Sequence, residues 1–247
     1  MVAEVYEFRF AAFEFKARPS VSAAAVVVKD ANSGVEFPLA QKFWEGETFR
    51  CLGAGTRSKK ILFLNVKVYS AALYVEADRT AKELGIRSRG GFFENDDDYC
   101  QALLDGAFNK VLKVHFVRDI EGTQFSEALD KHLLPRMQMS GDLSKLEEFK
   151  AFFGDKKLNE NSEIALFWNV VGDLEVALSA PTPGDRNYAE MTPQLRIRSQ
   201  ALCRSLFETF VGENTVVTEA RAEWVKGAKL LLESDTVNRS TRKGGSG

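Results

Sequence analysis

Residues 61–76 read ILFLNVKVYSAALYVE and alternate: Leu64, Val66, Val68, Ser70, Ala72 and Tyr74 fall on one side, Phe63, Asn65, Lys67, Tyr69, Ala71, Leu73 and Val75 on the other. A period of two sustained over this length specifies a long β-strand. Working outward, residues 49–53 and 110–118 alternate in the same way, and residues 164–171 and 174–178 read as two strands turning at Gly172-Asp173. These are antiparallel signals. Helical spacing appears over residues 96–105, 123–137, 143–153, 195–211 and 219–232. Strands and helices do not alternate one for one, so a doubly wound parallel sheet is disfavoured. The pattern predicts an α+β fold, a large antiparallel β-sheet with a layer of helices on one face.

The chain has 247 residues, 45% of them hydrophobic and 11% aromatic, enough for one large core. Lysine and arginine total 33 against 35 acidic residues, which removes the basic field that a nucleic-acid partner requires. Cys51, Cys100 and Cys203 are odd in number and far apart, and they show no Cys-x-x-Cys spacing, so neither a disulfide framework nor a zinc site is expected. A reducing compartment fits. No apolar run reaches the roughly 20 residues of a transmembrane helix. Residues 1–33 form an N-terminal extension, expected to be strand in part, without the compact apolar core of a secretory signal. Arg9, Arg18, Ser20 and Ser22 suit an organellar transit peptide, but Glu4, Glu7 and Glu14 spoil the pattern. Residues 34–232 are the expected domain, residues 233–247 an expected disordered tail, and a monomer the default.

Motifs for familiar chemistries are absent from the sequence. Gly53-Ala54-Gly55 lacks the third glycine of a dinucleotide fingerprint and reads as a glycine turn between strands. Glu94-Asn95-Asp96-Asp97-Asp98 lacks the ligand spacing of a calcium loop and reads as a solvated acidic helix start. His115 and His132 have no partner at metal spacing, and no Gly-x-Ser-x-Gly elbow occurs. No metal and no cofactor are expected. Two polar side chains stand out: Arg57, after the glycine turn, and Tyr69, on the long strand among apolar neighbours. Pointing into one cavity, they would hydrogen-bond a carboxylate together, charge-assisted from arginine and neutral from tyrosine. The alternative is an exposed loop arginine and a core tyrosine whose hydroxyl reaches the surface.

Cys51-Leu52-Gly53-Ala54-Gly55-Thr56-Arg57, followed by residues 66–75 (VKVYSAALYV), resembles the paired-strand signature of the chalcone isomerase superfamily. Residues 117–125 (VRDIEGTQF), Ala128-Leu129-Asp130, Pro135-Arg136, residues 166–169 (LFWN) and residues 206–213 (LFETFVGE) follow in the family's order, from about residue 34 to 227. They are similar to its plant and algal fatty-acid-binding branch in particular. The resemblance implies a large antiparallel sheet, helices on one side and a ligand cleft between them. It carries over the isomerase arginine as Arg57 and the distal threonine as Thr209. It departs where the strand threonine is Tyr69, the catalytic tyrosine Phe125 and the asparagine His132. The implied function is non-catalytic binding of a medium- to long-chain fatty acid. Arg57 and Tyr69 would hold the carboxylate, Phe125, His132 and Thr209 would line the site, and an apolar cleft would take the chain. A weak or divergent chalcone–flavanone isomerase is the alternative, and a non-catalytic isomerase-like interaction protein the third. The resemblance suggests the plastid stroma, with the cytoplasm as alternative.

Overall fold

The computed structural model describes residues 26–180 and 187–244. In chain order the strands are β1 (Val27–Lys29), β2 (Glu36–Pro38), β3 (Ala40–Lys42), β4 (Thr48–Ile61) and β5 (Leu64–Glu76). Helices α1 (Ala77–Arg89) and α2 (Asp96–Asp105) follow, then β6 (Lys110–Phe116), β7 (Ile120–Glu121), α3 (Gly122–Ser140), α4 (Leu143–Phe153) and β8 (Lys157–Leu158). The chain continues through β9 (Glu163–Trp168), β10 (Asp173–Ser179), β11 (Leu195–Arg198), α5 (Gln200–Val211) and α6 (Thr218–Gly244). Seven strands pair antiparallel in the order β11-β10-β9-β6-β5-β4-β3. This is the α+β sheet that the alternation predicts.

The long strand is half of a longer hairpin than its own alternation suggests. β4 runs unbroken from Thr48 to Ile61 and turns through Leu62 and Phe63 into β5, with Leu62 at φ 53°. Gly53 and Gly55 therefore lie inside a strand, not in the expected turn, and Arg57 sits in mid-strand rather than at a strand mouth. The glycines are needed for close approach. A Cβ at Gly55 would lie 2.5 Å from the backbone nitrogen of Ala220, and one at Gly53 would lie 2.8 Å from the backbone of Glu223. In return, a Cβ at Gly227 of α6 would lie 1.8 Å from the carbonyl oxygen of Leu52. Helix and strand meet backbone to backbone, joined by Trp224 Nε1 donating to the Gly53 carbonyl at 2.9 Å.

Two register shifts set the facing of the hairpin. Cys51 pairs with Tyr74 but Gly53 with Leu73, and Arg57 pairs with Tyr69 but Ser58 with Lys67, so Leu52 and Val68 are extra residues. Between the bulges the expected faces hold. Tyr69, Ala71, Leu73 and Val75 join the main core with the helices, while Ala72 and Tyr74 join a second core on the other face. Below Val68 the phase flips, and Lys67 reaches the carbonyl of Asn32 on the far side from Tyr69. The outer face is not bare either. Phe37, Phe43 and Tyr188 cover it, with Phe43 packed edge-on to Phe49 and Tyr74 at 5.3 and 5.6 Å.

Helices α2 and α4 span their predicted ranges, and α3 exceeds its range at both ends. The helix expected over residues 195–211 is divided. Leu195–Arg198 is edge strand β11, and Ser199 then caps α5 by accepting from the Leu202 amide at 3.0 Å. Sequence periodicity missed α1. Within the expected extension, β1 is strand; residues 1–25 lie outside the described residues. Where a disordered tail was expected from residue 233, the backbone of α6 stays helical to Gly244. No proline or glycine interrupts residues 228–242, and extending an existing helix costs far less than nucleating one.

Candidate functional site

The Asp30 carboxylate fixes the facing of the Arg57–Tyr69 pair from behind. Its Oδ2 accepts from Thr56 Oγ1 and Ser70 Oγ, both at 2.6 Å, and from Ser33 Oγ at 2.7 Å, while Oδ1 accepts from the Asn32 amide at 3.0 Å. Burial alone would raise the Asp30 pKa. The hydrogen bonds from Ser70, Thr56, Ser33 and Asn32 together outweigh it and hold the carboxyl below its ordinary value. Thr56 and Ser70 are cross-strand partners facing outward, so their neighbours Arg57 and Tyr69, also partners, face the helices.

Arg57 is half-buried and donates through Nη1 to the Val216 carbonyl at 2.8 Å; among the described residues this is the one hydrogen bond of its side chain. The Tyr69 side chain is buried, and its hydroxyl has no hydrogen-bond partner among the described residues. Burial pushes the phenol's pKa well up, against the opposing charge of Arg57, so at neutral pH the hydroxyl is a neutral donor.

The other expected residues gather around this pair, with one qualification. Phe125 is buried with its ring 6.2 Å from Tyr69, 5.7 Å from Phe116 and 5.2 Å from Phe153. Phe210 lies 6.4 Å from Tyr69 on the α5 side. His132, two turns along α3 from Phe125, has a lowered pKa because of partial burial first, then the charges of Lys131, Arg136 and Arg57. It is thus within electrostatic reach of the guanidinium. Thr209 is buried nearby, but its hydroxyl donates back to the Ser205 carbonyl at 2.9 Å, so that proton is not directed at a ligand. Its carbonyl accepts from the Val216 amide at 3.0 Å, which positions the loop that holds Arg57.

Two polar constellations were not legible in the sequence. On the outer sheet face Glu163 sits 3.1 Å from Lys113 Nζ and 2.9 Å from His115 Nδ1, and it accepts from the Tyr188 hydroxyl at 2.6 Å. At the opposite end of β6 from Phe116, a cavity of about 450 Å³ is bordered by Leu104, Phe108, Lys110, Trp168, Gln200 and Arg204. Lys110 Nζ donates to the carbonyls of Leu103, Leu104 and Gly106 at 2.8, 3.1 and 3.0 Å, closing the C-terminus of α2. Burial draws its pKa down to about 7, the charge of Glu83 opposing. Arg204 is paired with Asp105 and Glu208. The cations bordering this cavity are already engaged, which leaves Arg57 the better anion donor.

The acidic run at residues 94–98 is a capped helix start. Asn95 accepts from the amides of Asp97 and Asp98, and Asp98 from that of Asn95. Asp96 and Asp97 pair with Lys229 and Arg221 of α6. The three cysteines are buried and unbridged. No helix among the described residues is long and apolar enough to cross a membrane.

A seven-stranded antiparallel sheet with helices on its inner face defines an α+β protein of the chalcone isomerase fold. The chain belongs to the chalcone–flavanone isomerase family, whose sequence model matches residues 33–227. Its curated relatives include a binding protein, isomerases and an isomerase-like protein. It is similar to fatty-acid-binding protein 1 of Arabidopsis thaliana, 23% identical over 240 residues that cover 92% of this chain and 80% of that one. It is also similar to chalcone–flavanone isomerase 2-A of Glycine max, 24% identical over 182 residues, 70% of this chain and 78% of that one. Among solved structures, a fatty-acid-binding protein of Arabidopsis thaliana superposes with a TM-score of 0.68 at 22% identity. The superposition covers 84% of this chain and 99% of the other, and it bears on the fold alone.

Proposed function

We propose that the protein binds free fatty acid without catalysis, with the carboxylate held by Arg57 and Tyr69 and the acyl chain among the apolar side chains of the inner face. One observation carries the reading: the two residues are cross-strand partners facing the helices, and the hydroxyl at the end of the buried Tyr69 ring makes no hydrogen bond among the described residues, beside a guanidinium whose one side-chain hydrogen bond goes to Val216. A carboxylate completes both, through a charge-assisted bond and a neutral one. The surroundings suit an alkyl chain, since Phe116, Phe125 and Phe210 ring Tyr69. The same surroundings disfavour enone cyclisation. Phe125 has no hydroxyl and the Thr209 proton is spent inside α5, so donors that would stabilise a developing enolate are missing at both positions. Similarity to a fatty-acid-binding protein supports the reading, and similarity to isomerases makes chalcone turnover the competing outcome.

Titration with laurate and palmitate tests it. Losing a charged partner in such a site costs about 2–5 kcal/mol, so Arg57→Ala should weaken binding at least about thirtyfold. Unchanged titration curves in a folded Arg57→Ala variant would remove the carboxylate clamp.

A further inference from the structure

The tip of the β4–β5 hairpin carries a second feature, unrelated to the inner face. Leu62, Phe63 and Leu64 are 84%, 96% and 70% exposed, three consecutive large apolar side chains at the end of the two longest strands. A two-residue hairpin turn ordinarily uses asparagine or glycine where φ is positive, yet here leucine takes φ 53°. The flanks are basic. Lys59, Lys60 and Lys67 are exposed, and residues 58–67 contain no acidic side chain, in a chain whose net charge is −2. Lys67 touches the Asn32 carbonyl, a contact that leaves its charge unneutralised. The exposed valines at the β9–β10 turn, Val170 and Val171, differ on this point, because residues 168–175 hold Asp173 and Glu175 and no lysine.

We propose that this tip docks on a lipid surface bearing anionic headgroups: Leu62, Phe63 and Leu64 enter the interfacial zone and Lys59, Lys60 and Lys67 pair with the headgroups. An apolar point with a cationic collar matches both layers of such a surface, apolar side chains to the acyl boundary and ammonium groups to phosphate. A protein partner would be matched by the apolar residues alone and has no need of the collar. Leu62, just past the end of β4, is five residues from Arg57, about 17 Å at strand rise, so docking would bring Arg57 near the bilayer. The proposal does not depend on the fatty-acid reading.

The test is co-sedimentation of the full chain with vesicles of phosphatidylcholine alone and with about a third phosphatidylglycerol. Binding is expected to the anionic vesicles only and to fall steeply with added salt. Each lysine contributes about fivefold, so Lys59→Gln with Lys60→Gln should lower the partition coefficient roughly twenty- to thirtyfold. Leu62→Ser, Phe63→Ser and Leu64→Ser together should abolish binding, with circular dichroism and thermal melting unchanged. In a Phe63→Trp variant, tryptophan emission at the tip should shift to the blue on anionic vesicles. Failure of the native chain to bind anionic vesicles, or equal binding by the triple-serine variant, overturns the proposal. So does sedimentation equilibrium showing a dimer that the triple-serine variant loses, since a second copy would then be the occupant.

Discussion

Gly227→Ala places two familiar effects in opposition, and the structure decides between them. Gly227 lies well inside α6, and in an exposed helix interior alanine is favoured over glycine by about 0.8–1.0 kcal/mol. Here the added Cβ would stand 1.8 Å from the Leu52 carbonyl oxygen and 2.5 Å from its carbon. Ordinary contact needs well over 3 Å, so α6 must retreat from β4 by more than about 1 Å. Overpacking of this kind costs about 1–3 kcal/mol, and more where the obstacle is backbone that cannot rotate away. The retreat also stretches the Trp224–Gly53 hydrogen bond, worth about 1 kcal/mol. Against the helix-propensity gain the net loss is about 1–3 kcal/mol, a fall in Tm of roughly 2–12 °C for a chain of this size. Thermal melting by circular dichroism measures it, with Gly91→Ala as control. Gly91 has φ +74° and no neighbour within 4 Å, so that change carries backbone strain without a clash. A Gly227→Ala variant that melts at or above the parent temperature would refute the backbone-to-backbone docking of α6.

The remaining predictions concern the pair and its support. Tyr69→Phe removes one neutral hydrogen bond, about 0.5–1.5 kcal/mol, so laurate affinity should fall about two- to twelvefold, clearly less than with Arg57→Ala; a reversed order would make Tyr69 the main anchor. The parent should not cyclise chalcone in a spectrophotometric assay, nor should Phe125→Tyr alone, because Tyr69 occupies volume beside Arg57. Any gain should appear in Phe125→Tyr combined with Tyr69→Thr, more than additively. Asp30 has a lowered folded pKa, so its contribution is present above the unfolded value near 4 and is lost as pH falls through the folded value. Asp30→Asn should lower stability by about 1–3 kcal/mol at pH 7 and flatten the acid limb of denaturant midpoints below about pH 5.

Residues 61–76 were enough for the sheet, because a long run of small, β-branched and aromatic residues that is buried on both faces still suits a strand. The glycines misled for a physical reason. A glycine chosen for close helix approach and a glycine chosen for a turn are the same letter, and only the position of α6 separates them. The bulge at Val68 was equally silent, since an unpaired residue changes the facing of its neighbours without changing their identity. Leu195–Arg198 carried a helical spacing that pairing with β10 overrode. Of the site, Arg57 and Tyr69 were visible as polar residues in apolar surroundings. Their juxtaposition was conditional, and Phe125, His132 and Thr209 were reached only through resemblance. Nothing local marked Asp30, which acts through hydrogen bonds 26 and 40 residues away in sequence.

The two faces of the hairpin are consequently one device. Thr56 and Ser70 are held outward by a buried carboxylate, and the bulge at Val68 falls immediately beyond the next pair, so Arg57 and Tyr69 are the last residues that the outer anchor can force toward the helices. From the other side, the Val216 carbonyl that orients the guanidinium precedes α6 by two residues, and α6 is seated by glycines on β4, the strand that carries Arg57. Arg57 is thus fixed at its backbone and near its tip by elements that the same strand positions. Tyr69 is treated differently: its ring is packed by Phe116, Phe125 and Phe210, while its hydroxyl is left without a described partner. For packing of the ring alone phenylalanine would serve as well at that position. A hydroxyl left free at the end of a packed ring, beside an arginine held in place, is what a polar ligand head group would exploit.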